Sequence, residues 1–118
     1  MAIVGVGVDV VDLERFAESL ERTPTLRQRI LTPAEGELSL TSMAGRFAAK
    51  EALVKALRAP SGLSWTDIEV VVDDRGAPSF ELSELAAARV HELGITSLHL
   101  SIAHDGPVAT AFVVAEAG

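Results

Sequence analysis

A chain of 118 residues has room for one domain and one modest core. Its hydrophobic fraction of 48% suits a globular protein, no run is apolar and long enough to span a bilayer, and the absence of cysteine excludes a disulfide framework or thiol nucleophile. A net charge of −7 argues against general nucleic-acid binding but leaves room for a small anion held by a local basic cluster.

Met1 leads straight into an alternating pattern without a basic segment, so no cleavable signal is expected and a cytoplasmic location is. Residues 2–11 read as a strand. Val4, Val6, Val8 and Val10 face one way, toward the expected core, and Gly5, Gly7 and Asp9 face the other. Asp12 can cap a helix running to about Glu21, with Leu13, Phe16, Ala17 and Leu20 on one side. Thr32-Pro33-Ala34-Glu35 has the form of a capping box opening a short helix, and Thr41 or Ser42 is expected to cap a longer one reaching about Arg58.

Ala59-Pro60-Ser61-Gly62 is a break. Residues 67–73 and 78–82 alternate about Asp74-Arg75-Gly76-Ala77, which predicts a hairpin. Ser83 caps a helix that Gly94 stops, and strands 97–103 and 108–115 follow, joined by a tight turn at Asp105-Gly106-Pro107. No linker or repeat interrupts the chain, so residues 1–118 read as one α+β domain, a largely antiparallel sheet packed against helices.

Four of the ten basic residues, Arg46, Lys50, Lys55 and Arg58, fall in the long helix. On a helical wheel, Met43, Phe47, Val54 and Leu57 make an apolar arc with Lys50 inside it and Glu51 and Lys55 at its edge. Glu51 and Lys55 fit an ordinary i,i+4 surface pair. They also fit a second arrangement, in which Asp9, on the glycine-cleared face of the strand, meets Glu51 across a helix–sheet contact. Two converging carboxylates suit Mg²⁺, with a nearby lysine left to hold phosphate. Gly5-Val6-Gly7 is not a dinucleotide-binding fingerprint, because no third glycine follows and the pair lies within the strand. Close packing, or room for a ligand, explains it better.

At these residues the sequence resembles the holo-(acyl carrier protein) synthases, small single-domain phosphopantetheinyl transferases. The two signatures are Gly7-Val8-Asp9 and Phe47-Ala48-Ala49-Lys50-Glu51-Ala52-Leu53-Val54-Lys55. The resemblance extends through Arg15, Ile30-Leu31-Thr32 with Glu35, Asp67-Ile68-Glu69-Val70, Gly76-Ala77-Pro78 and Leu100-Ser101-Ile102-Ala103-His104. It implies a 4′-phosphopantetheinyl transferase-like fold and transfer of 4′-phosphopantetheine from coenzyme A to a serine of apo-acyl carrier protein, releasing 3′,5′-ADP.

By position, the resemblance makes Asp9 and Glu51 the Mg²⁺ ligands and Lys55 the cation on the leaving phosphate. Glu51 or a metal-bound water would accept the serine proton. Arg46 and Lys50 would bind the 3′-phosphate or build the pocket, Lys50 equally serving as a structural residue, and Ser101 and His104 would contact coenzyme A. Arg15, Arg22 and Arg27 would dock the acidic carrier protein. Similar proteins form homotrimers with sites between subunits, so His104 could serve a neighbour's Asp9.

The chain departs from that pattern in its net charge, in a short segment 36–42, and in Leu57-Arg58 where a glycine commonly follows the lysine-alanine pair. The last change falls at the expected rim of the coenzyme A pocket. A non-catalytic binder of the same fold would be expected to lack Asp9, Glu51 or Lys55, and all three are present. A purely structural oligomerisation domain would gain no stability from a divalent metal or coenzyme A.

Overall fold

The computed structural model describes residues 2–58 and 60–118; Ala59, the first residue of the expected break, lies outside them. Strand β1 (Ala2–Asp12) leads into helix α1 (Leu13–Arg22), with the Asp12 carboxylate accepting a hydrogen bond from Arg15 N at 2.9 Å as N-cap. A five-residue helix, α2 (Leu26–Ile30), follows in a segment too short to show a helical period.

The Thr32 capping box forms, with Thr32 N donating to Glu35 Oε1 at 2.9 Å and Glu35 N to Thr32 Oγ1 at 3.4 Å. It opens only a 3-10 turn, Glu35–Glu37, because the Glu35 carboxylate is drawn into a tertiary network described below. Ser39, rather than Thr41 or Ser42, caps helix α3 (Leu40–Ala56), accepting from Ser42 N at 3.2 Å. Strands β2 (Ile68–Val72) and β3 (Pro78–Leu82) make the expected hairpin. Helix α4 (Glu84–Glu92) is capped by Ser83 and followed by Gly94 at φ 77°, a conformation glycine adopts without steric cost. Strands β4 (Ser97–Asp105) and β5 (Val108–Ala117) complete the chain.

Every strand pairing is antiparallel, but the strands form two sheets: a three-stranded one in the order β1-β5-β4, and the separate β2–β3 ribbon. α3 lies across one face of the larger sheet. Its ridge Ala44, Ala48, Ala52 and Ala56, spaced four apart, is buried on that face, beside Ala109, Ala111, Val113 and Ala115 of β5. Met43, Leu53 and Leu57 fill the space on other sides of the helix, each contributing on the order of 1.5–3 kcal/mol by leaving water. Phe47 stacks on Phe16 of α1 with ring centroids 5.8 Å apart and meets Trp65 edge-on at 5.5 Å.

One expectation is reversed. The valine face of β1 does not enter the core: Val6, Val8 and Val10 are 55%, 53% and 62% exposed, and only Val4 packs partly against it. The glycine face is the inward one. Two backbones can approach only where neither carries a bulky side chain, and Gly5 and Gly7 against an alanine ridge supply that condition. The other sheet face remains open and apolar, with Phe112 of β5 47% exposed between Val8 of β1 and Ser101 of β4 in register.

Candidate active site

The site grows from that backbone contact. A Cβ on Gly7 would fall 1.9 Å from the carbonyl oxygen of Ala52, and one on Gly5 2.0 Å from that of Ala56. No side chain can occupy either position unless strand and helix separate. The next inward residue of β1 is Asp9, which emerges beside α3 with its side chain 19% exposed.

Lys55 bends back along the helix toward β1, as helical side chains do. Its Nζ donates to Asp9 Oδ1 at 3.1 Å and to the Val8 carbonyl at 2.9 Å, and the side chain stays 53% exposed. Glu51, one turn earlier, stands close enough to feel both groups. Burial is the main cause that raises its carboxyl above the usual glutamate range, Asp9 raises it further, and Lys55 opposes them.

Two carboxylates that repel one another beside a half-solvated ammonium are suited to a hard dication and a phosphate. No group of three metal-ligating side chains exists among the described residues. Mg²⁺ needs only one or two protein carboxylates, its other positions being taken by water and substrate oxygen, so Asp9 and Glu51 fit it.

Lys50 does something different from its neighbours. It is fully buried, and its ammonium donates to Glu35 Oε1 at 2.6 Å, the Ile30 carbonyl at 2.8 Å and the Trp65 carbonyl at 3.1 Å. A lysine has three protons to donate, and all are used. Burial nevertheless lowers its proton affinity, against the pull of Glu35 and Glu69. Glu35 also accepts from Val70 N at 2.7 Å, and the Thr32 hydroxyl donates to Glu69. The expected contact of Lys50 with coenzyme A is therefore corrected: this residue ties α3 to the end of α2, to Glu35 and to the Trp65 carbonyl just ahead of β2, and has no proton left for a ligand.

A sequence profile of the 4′-phosphopantetheinyl transferase superfamily matches residues 5–112, which span both signature segments. The holo-[acyl-carrier-protein] synthase of Clavibacter michiganensis is 55% identical over 114 residues, covering 97% of this chain and 96% of that protein. The chain belongs to the holo-(acyl carrier protein) synthase family.

It is an enzyme of the phosphopantetheinyl transferase class. The synthase of Neisseria meningitidis superposes with a TM-score of 0.87 at 32% identity, covering 98% of this chain and 99% of that one. The Helicobacter pylori synthase, solved in complex with coenzyme A, superposes at 0.82 with 34% identity, covering 94% and 99%. The likeness extends across the antiparallel sheet and the helices packed on it.

In this holo-(acyl carrier protein) synthase chain the remaining candidate residues are dispersed. Arg46, on α3, holds a buried Nε with no hydrogen-bond acceptor among the described residues. His104 is exposed near the end of β4, in register with Ala109 and Val11, two strands from β1 and so about 10 Å across the sheet. Ser101 pairs with Phe112 on the open face, whereas Asp9 pairs with Ala111 on the helix-covered face. Ser101 and Asp9 of one chain thus lie on opposite sides of the sheet and cannot share a pocket within it. Arg15, Arg22 and Arg27 are exposed on α1 and α2, Arg15 at 4.0 Å from Asp12. Sequence reasoning missed Glu35 and Thr32 as the anchor of Lys50, because the only local signal, the capping box, points to a helix start.

Proposed function

We propose that this enzyme transfers 4′-phosphopantetheine from coenzyme A to a serine hydroxyl of apo-acyl carrier protein, releasing 3′,5′-ADP. The observation that carries the reading is the meeting of Asp9, Glu51 and Lys55 over the glycine-lined contact of β1 and α3. Family membership and the coenzyme A complex of the Helicobacter pylori relative support the same donor.

Asp9 and Glu51 hold Mg²⁺ in this reading. When bound, the ion neutralises charge on the coenzyme A diphosphate and so makes its phosphorus easier to attack. The serine oxygen forms a bond to the phosphorus bearing pantetheine, and the bond from that phosphorus to the oxygen of the departing 3′,5′-ADP breaks. Lys55 exchanges its contact with Asp9 for the leaving phosphate and stabilises the charge that gathers there. The serine proton leaves to Glu51 or to water.

The orphaned Arg46 Nε is a donor suited to the 3′-phosphate. Arg15, Arg22 and Arg27 form the basic face for an acidic carrier protein. The open valine and phenylalanine face of the larger sheet is an apolar surface that further copies of the chain cover, as a homotrimer. Assembly then gives Ser101 and His104 a route to a neighbour's coenzyme A. The same reading places the reaction in the cytoplasm; no helix of the described residues is long and apolar enough to cross a membrane.

Intact-mass analysis of apo-acyl carrier protein incubated with enzyme, coenzyme A and Mg²⁺ tests the transfer. Gain of one phosphopantetheine with wild type and not with Glu51→Gln is expected. No gain with several carrier proteins that another transferase modifies would overturn the reading.

A further inference from the structure

Beyond Ala56, α3 ends in an unusual way. Leu57 closes the last turn, and Arg58 N donates to the Lys55 carbonyl at 3.1 Å with Arg58 at φ 61°. Arg58 is the sole non-glycine residue with positive φ among those described. A residue just past a helix end commonly adopts this left-handed conformation, and it is usually glycine or asparagine, because a larger side chain crowds the backbone there. The arginine therefore weakens the helix end relative to glycine. Nothing in the fold compensates: its side chain is exposed and makes no hydrogen bond or ion pair with the described residues.

What Arg58 does have is position. It lines two adjoining grooves that share Ile3, Val4 and Ala56. One, of about 320 Å³, also has Gly5, Val6 and Lys55 in its walls. The other, of about 370 Å³, continues over Leu57, Leu93 and Ile95. Arg58 follows Lys55 by three residues, on the side of the helix that faces the start of β1. A groove that begins at the Asp9 partner Lys55 is thus flanked by a second cation.

The electrostatics favour a second cation there. A helix C-terminus presents unpaired carbonyls and the negative end of the helix dipole, so an anion in this groove would be repelled by α3. Before substrate arrives, Lys55 is engaged with Asp9 and the Val8 carbonyl, and in the proposed reaction it serves the leaving phosphate. A guanidinium with five donors reverses the local sign and offers a fork to phosphate oxygens.

We infer that Arg58 is a substrate-affinity residue, contacting a phosphate of the coenzyme A donor from the rim of this groove. The inference rests on the transfer reaction proposed above. Coenzyme A offers phosphate at two places, the diphosphate and the 3′-monoester, and a guanidinium suits either.

The test uses wild type, Arg58→Gly and Arg58→Lys, each folded and loaded with Mg²⁺, against coenzyme A and 3′-dephospho-coenzyme A. Calorimetric dissociation constants are measured beside KM and kcat. Arg58→Gly should melt higher by a few degrees, since it relieves the left-handed residue. It should nevertheless bind coenzyme A about tenfold more weakly, the loss falling on KM rather than kcat, with Arg58→Lys in between.

Weakening with coenzyme A alone assigns Arg58 to the 3′-phosphate, and equal weakening with both donors assigns it to the diphosphate; either supports the inference. A stabilised Arg58→Gly with unchanged affinity for both donors overturns it, leaving Arg58 a solvated helix-end cation. Wild type that binds both donors yet transfers from neither would instead break the proposed reaction, and the binding constants would still decide the role of Arg58.

Discussion

Gly7 of β1 lies directly beneath the carbonyl of Ala52 on α3, so close that even a methyl group would sit 1.9 Å from the oxygen. Ala52 immediately follows Glu51, and Gly7 precedes Asp9 by two residues. The separation of the two carboxylates is consequently set by contact of backbone with backbone.

Gly7→Ala must push helix and strand apart. Overpacking by a methyl costs about 1–3 kcal/mol in ordinary cores, and here the obstacle is main chain that cannot rotate away, so a loss of about 3 kcal/mol is expected. The urea midpoint should fall accordingly, and the variant that remains folded should lose its Mg²⁺ response. A midpoint within error of wild type would show that the contact is looser than described.

Glu51 gives a pH signature. Its carboxyl is raised above the usual glutamate value of 4.5 by burial first and Asp9 second, so the folded state binds its proton more tightly than the unfolded state does. The stability this group contributes is full below 4.5 and is lost as pH rises through the folded value. Glu51→Gln should thus melt higher than wild type at neutral pH without metal, the gap closing toward acid. It should also lose the stabilisation that Mg²⁺ with coenzyme A is expected to give wild type, as followed by thermal shift across that range.

Lys50→Met strands the Glu35 carboxylate in the core and removes the donor from two carbonyls. Breaking a buried pair on one side costs about 3–5 kcal/mol, which chemical denaturation will register. The coenzyme A affinity of the folded fraction should hardly change. A large affinity loss at small stability cost would return Lys50 to the ligand.

Lys55→Gln should behave in the opposite way. The pair with Asp9 is half-exposed and worth at most about 1 kcal/mol, so the melting temperature should barely move. Removing the cation proposed for the leaving phosphate should lower kcat by about 10²–10³. Steady-state kinetics with saturating coenzyme A separate the two effects.

Val8→Lys tests the open sheet face. The side chain points away from α3, so the protomer should fold with little penalty. A charge amid Val6, Val10 and Phe112 should dissociate the proposed assembly, reducing the mass in light scattering to that of one chain. Unchanged mass would remove this face as the subunit contact.

Much of the fold is written locally. Asp12 and Ser83 cap helices, Gly94 ends one, and the β2–β3 and β4–β5 hairpins alternate about turn residues; these signals need no tertiary partner. The orientation of β1 is different. Alternation defines two faces, and hydrophobicity selects the valines for the core. The structure buries the glycines because the alanine ridge of α3 rewards close approach more than valine burial would. That ridge is visible in the sequence, but its partner is not. α2 is too short to show a period, and Lys50 sits in the apolar arc for a reason fifteen residues upstream, at Glu35. Ser101 follows a familiar motif, yet only strand register reveals that it faces away from Asp9.

β1 occupies residues 2–12, and its one sheet neighbour is β5, residues 108–117, with Ala2 opposite Ala117. During synthesis, the strand bearing Asp9 emerges well before β5 and waits for the intervening helices and hairpin before its neighbour appears. Such remote pairing is slow to form, and it leaves a valine-rich segment uncovered meanwhile. Loss of β5 would therefore dismantle the candidate site while leaving every proposed ligand of the metal in the chain.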